Sequence, residues 1–158
     1  MSAAERCARF HDALGYMKPA RDALAEAAKS APGRKEIQIY LEGCEYSVAL
    51  ASLEAGLDLA GVKATAQALL ANNTDSNSWN YGNVIYNAHS LLGRVAMREG
   101  KLEEAKKHLL SAGRTPGSPQ INSGSLEFIL ARELVEYEGR TGAEAENNPP
   151  AEGALNKK

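Results

Sequence analysis

Two glycines, Gly93 and Gly100, sit in a segment that otherwise reads as good helix, and they limit what this chain can fold into more than any other feature. In AHSLLGRVAMREGKLEEAKKHLLSAGRTPG, Ala88 to Gly117, the first lies in mid-helix, the second interrupts, and helical patterning then resumes. A glycine inside a helix costs about 1 kcal/mol relative to alanine, which is tolerable where a neighbouring helix must approach. A glycine at a helix end adopts the left-handed conformation that stops it. Ala105, Leu109 and Ala112 follow Gly100 at offsets of five, nine and twelve. The same offsets lead from Gly15 to Ala20, Leu24 and Ala27, and from Leu57 to Val62, Ala66 and Leu69. Antiparallel helices pack closely when small side chains recur at their crossing. Gly93 therefore makes room, Gly100 turns the chain, and Ala105 lets the return helix dock.

Periodicity near 3.6 dominates the rest of the chain. It predicts helices at roughly 3–14, 19–30, 35–55, 59–71, 80–99, 101–113 and 123–139, with Pro19 at a first-turn position. The helix at 80–99 carries Tyr81, Ile85, Ala88, Leu92 and Val95 on one stripe. Aromatics make up only 6% of the chain and alanine and leucine recur, which favours helices packed through small residues over a sheet sandwich. The expected fold class is all-α, an antiparallel array of helix–turn–helix units in one domain over residues 1–140. Residues 141–158, GAEAENNPPAEGALNKK after Thr141, hold few large apolar side chains and are expected to be disordered.

The glycine-and-alanine spacing resembles the tetratricopeptide repeat, a helix–turn–helix unit of about 34 residues. Leu92-Gly93, Gly100, Ala105, Leu109, Ala112 and Pro116 carry the match over 86–119, with the proline one residue early. A second unit is expected near 1–34, where Cys7-Ala8 stands in place of Leu-Gly. The third, near 43–76, lacks the turn glycine, and 123–139 is expected to be a closing helix. The stretch WNYGNVIYNAHSLLGR to HLLSAGRTPGSPQ is also similar to a bacterial repeat protein without assigned chemistry. The resemblance implies an α-solenoid of about three units whose first helices line a concave surface. In the best unit it puts Asn87, Ser90, Arg94, Met97 and Arg98 on that surface. Arg94 and Arg98, one turn apart, would grip a carboxylate or acidic peptide. Asn87 and Ser90 would hold peptide backbone, and Met97 would adapt to an apolar side chain. Some members clamp a chaperone's C-terminal carboxylate through Lys and Asn; here Glu5 and Arg9 stand in those places, so that activity is not expected.

Other chemistry finds little support in the residues. GRVAMREGKL, Gly93 to Leu102, lacks the glycine spacing, the hydroxyl residue and the preceding strand of a phosphate loop. His11, His89 and His108 have no glutamate three residues before them, so no di-iron signature exists. Glu104 and His108 share a helix face but lack a second ligand pair, and read as an exposed polar pair. His89 reads as a packed ring. Cys7 and Cys44 show no CxxC spacing, and Cys7 with His11 lacks an orienting third group. Thr115-Pro116 and Ser118-Pro119 could be kinase sites but read as punctuation that ends a helix.

The net charge of −2, with acids and bases interspersed, gives no electrostatic footprint for nucleic acid. No stretch approaches the roughly 20 apolar residues that span a bilayer, and the unpaired cysteines fit a reduced, cytoplasmic setting. The function expected is non-enzymatic: binding of a peptide or protein segment in a concave groove, without metal or cofactor. The alternatives are a small α-helical enzyme with a dispersed site, or a structural repeat protein that self-associates.

Overall fold

The computed structural model describes residues 2–123 and 128–147, which form helices joined by turns and short irregular links, without strands. The helices are α1 (Ala3–Ser30), α2 (Lys35–Glu54), α3 (Leu59–Asn72), α4 (Tyr81–Arg98), α5 (Leu102–Gly113), the single turn α6 (Pro119–Asn122) and α7 (Ile129–Asn147). Helices α1 to α5 pack in chain order; α2 also touches α4, and α4 and α5 both touch α7. No described helix is long and apolar enough to cross a membrane.

The first helix corrects the sequence reading. The segments expected at 3–14 and 19–30 form one helix, so residues 1–34 do not make a helix–turn–helix unit. Pro19 lies inside α1 and deprives the carbonyl of Gly15, four residues back, of its helical donor. Both residues are exposed, so water can take the missing place and the break signal loses its force. Packing supplies the rest: Leu14, with Cys7, Phe10 and Met17, closes on Val48, Ala51 and Ala55. At its start, Ser2 Oγ accepts from the Glu5 amide and Glu5 Oε2 accepts from the Ser2 amide, a reciprocal cap.

The turns after α2 and α4 are the same motif. Gly56 and Gly100 have φ of 69° and 74°. The Gly56 amide donates to Leu53 and that of Leu57 to Ser52; the Gly100 amide donates to Met97 and that of Lys101 to Ala96. Both helices thus end in the paired bonds of a Schellman turn. The unit near 43–76 does possess its turn glycine, one residue ahead of the Leu57 position that aligns with Gly100. The additional residue is absorbed by Asp58, which caps α3 through a 2.9 Å bond from the Gly61 amide to Oδ1. Val62, Ala66 and Leu69 then fall into the core, with Ala49, Leu53, Val84, Ala88, Leu91, Leu92 and Val95. Burying each leucine or valine contributes about 1.5–3 kcal/mol.

At the other end, Ala96 and Ala105 pack with Leu130 and Leu134 of α7. Gly93 is where α4 meets both neighbours: a Cβ there would strike Leu130 Cδ2 and lie 3.2 Å from His108 Cβ. The expected crossing alanines, Ala105 and Ala112, are both buried. The 114–118 link folds back on α4. Thr115 Oγ1 donates to the Gly82 carbonyl at 2.8 Å, and Gly117, with φ of 87°, sets its own carbonyl where a Gly82 Cβ would collide. Ser118 is buried, bonded to Asn83 Oδ1 and to the Ile121 amide, which fits punctuation rather than a kinase site. The closing helix starts at Ile129 rather than 123 and runs to Asn147, past the expected end at 139. Of the tail expected at 141–158, residues 148–158 lie outside the described residues.

Candidate functional site

One face of α4 carries Asn83, Asn87, Ser90 and Arg94 at steps of four, three and four, and this stripe forms the wall of a cleft of about 440 Å³. Tyr46 and Leu50 of α2 face it, Asn80 lies at one end, and Gln120, Ile121 and Ile129 close it from α6 and α7. The rim is organised by amides. Asn83 Nδ2 donates to Asn80 Oδ1 and to Gln120 Oε1, both at 3.0 Å, and Asn80 Nδ2 donates to Glu42 Oε2 at 3.2 Å. Ser118 Oγ, donating to Asn83 Oδ1, locks that side chain from behind. Asn87 and Ser90, half-buried, stand between this fixed rim and Arg94 with no side-chain hydrogen bond among the described residues.

Arg94 departs from its expected place. Only 3% exposed, it does not project into solvent as a free cation. Its Nε donates to Glu133 Oε2 at 2.9 Å, and Nη2 donates to Glu133 Oε1 at 2.8 Å and Glu54 Oε1 at 2.5 Å. Desolvation works against its charge, but the hydrogen bonds and Coulomb attraction of Glu133 and Glu54 outweigh it and hold its pKa above the usual arginine value. The triad ties α2, α4 and α7 together behind the cleft. Nη1 is buried and has no acceptor among the described residues. Residues 40 and 39 positions away supply the partners, so no local spacing announces them.

Two more expected contacts move elsewhere. Met97 packs against Ala96, Ala105 and Leu130 on the α5–α7 side, so it does not line the cleft. Arg98 is exposed, and its Nη1 donates to the Leu53 carbonyl at 3.2 Å, capping the last turn of α2. Of the five residues expected on the concave face, Asn87, Ser90 and Arg94 meet at one cleft, and Met97 and Arg98 do not. Asn80, Asn83 and Gln120 are the polar residues that sequence reasoning missed. Asn83 could have been found by extending the Asn87 stripe back one turn.

The histidines also pair differently. His89 Nδ1 and His108 Nδ1 lie 3.0 Å apart across the α4–α5 interface, half-buried, with ring centroids at 5.3 Å. His108 is thus the neighbour of His89, not one half of an exposed pair with Glu104. Burial, with the neighbouring His108 ring adding to it, lowers the His89 pKa. Burial also lowers that of His108, where the Glu104 charge opposes the shift and Lys63 assists it. Cys7 Sγ donates to the Ala55 carbonyl at 3.1 Å while His11 stays exposed, so they do not form a nucleophile and base. Among the described residues no three histidine, cysteine or carboxylate side chains come together as a metal site.

A larger, more apolar hollow lies between α1, α2 and the α3–α4 link, flanked by Tyr40 and Trp79, which are 69% and 49% exposed. Comparison of the chain with protein-family models, with curated proteins and with solved structures found no match.

Proposed function

We propose that this protein is a helical-repeat binding module of the tetratricopeptide kind, which holds a segment of another protein in the α2–α4–α7 cleft. The observation that carries this reading is the α4 stripe: amides and a hydroxyl on one helix, fixed at the rim and, among the described residues, unpaired in the middle at Asn87 and Ser90. Such groups match the alternating donors and acceptors of a peptide backbone, and they neither gain nor lose protons near neutral pH. The repeated Schellman turns, the α2–α4 contact and the α4–α7 contact support a solenoid in which α2, α4 and α7 are the successive inner helices.

Replacing Asn87 with a photo-crosslinking phenylalanine analogue tests the reading, with the same analogue at exposed Lys107 as the control. Crosslinked partner proteins should appear from position 87 and not from 107. Equal yields from both positions, or none from 87, would contradict it.

A second reading rests on the exposed Tyr40 and Trp79 beside the apolar hollow, which favour self-association. Sedimentation at rising concentration, with Trp79→Ala as comparison, distinguishes it: a self-associating chain forms oligomers that the variant loses.

A further inference from the structure

Resting on the cleft as a segment-binding site, we infer that it selects neutral or basic segments and rejects acidic ones. Two neighbouring arginines in the α4 sequence suggest the opposite preference, and the structure removes both. Arg98 is turned to the α2 carbonyl of Leu53. Arg94 is enclosed by Glu54 and Glu133, so one guanidinium stands between two carboxylates and the group carries one net negative charge. At the opposite end Glu42 holds Asn80, placing a further carboxylate behind the amide rim. Neutral amides and a hydroxyl lie between them.

An acidic side chain entering this cleft would bring a third carboxylate to a guanidinium already shared by two. In a partly desolvated site like-charge juxtaposition is costly, and it acts chiefly as a filter against wrong partners. Nη1, the one guanidinium nitrogen without an acceptor among the described residues, is suited to a neutral oxygen such as a peptide carbonyl, which satisfies a buried donor without adding charge. Glu54, Glu133 and Glu42 stand behind the lining residues, and their summed negative charge favours a lysine or arginine on the same segment. The occupant that fits is an extended backbone carrying a basic side chain.

A phage library of random dodecapeptides, panned on the full chain and in parallel on Asn87→Tyr/Ser90→Phe, tests this. The cleft-filled variant must first match the parent in far-UV circular dichroism and melting. Peptides that need the open cleft should be enriched in lysine and arginine. A synthetic peptide from that set should bind roughly tenfold tighter than its Lys→Glu counterpart, in line with the attraction of a single charge pair in a partly screened site. Its affinity should fall as salt is raised. Cleft-dependent peptides rich in aspartate or glutamate would overturn the charge preference and leave the cleft reading standing. Peptides that bind both proteins equally, or no enrichment at all, would overturn the cleft reading and this inference with it.

Discussion

Replacing Arg94 with leucine separates a buried ion triad from a solvent-exposed binding arginine. The guanidinium makes three charge-assisted bonds, two to Glu133 and one to Glu54, while itself almost wholly buried. Removing one member of a buried ion network typically costs 3–5 kcal/mol, because the remaining charge is stranded. Here the stranded carboxylates are 18% and 28% exposed and regain part of their hydration. The expected loss is therefore at the low end, about 3 kcal/mol, or roughly 10 °C in Tm for a chain of this size. Adding Glu133→Leu should recover part of that loss, since two of the three stranded bonds end on Glu133 and an apolar pair of similar volume needs no partner. Thermal unfolding by circular dichroism on the single and double variants reads both effects. An Arg94→Leu chain that melts within about 2 °C of the parent, the range of an ordinary surface substitution, would refute the buried triad.

Gly93→Ala should destabilise by about 1 kcal/mol, because overpacking against Leu130 and His108 outweighs the gain in helix propensity; a stabilised variant in chemical denaturation would refute the close approach. Gly100→Ala should cost about 1–2 kcal/mol, because φ of 74° strains any side chain, and an unchanged denaturation midpoint would contradict the turn. The histidine pair predicts a loss of stability on acidification. Folded pKa values of His89 and His108 lie below the unfolded value near 6.5, so the unfolded chain binds more protons below that pH. Their contribution is complete above about pH 6.5 and is lost as pH falls from there through the folded values. Urea titrations from pH 7.5 to 5 should show this decline, and His89→Gln/His108→Gln should flatten it; an equal decline in the double variant would sink the assignment.

The α4–α5 hairpin was legible because its signals are local. A turn glycine, alanines at the crossing and a mid-helix glycine all act within a few residues of where they stand. Continuity of α1 was not legible, since Gly15 and Pro19 are genuine breaker residues whose cost falls on exposed backbone and is offset by packing on α2. Gly56 escaped because an additional residue before α3 shifts the return helix relative to its turn. At the cleft, Asn87 and Ser90 were singled out through the repeat resemblance, and in the structure they share one face of α4. The burial of Arg94 was not legible, because an arginine on a helix is outward by default and its two carboxylates come from α2 and α7. The same holds for His89 and His108, whose meeting depends on how two helices cross.

The most direct measurement is the amide NMR spectrum of the uniformly ¹⁵N-labelled chain, recorded while a cleft-dependent basic dodecapeptide is added. The largest shifts should fall on the side-chain amides of Asn87 and Gln120 and on the backbone of Ser90, with Arg94 Nε following. Shifts centred on Tyr40 and Trp79, or spread evenly over the helices, would contradict binding in the cleft.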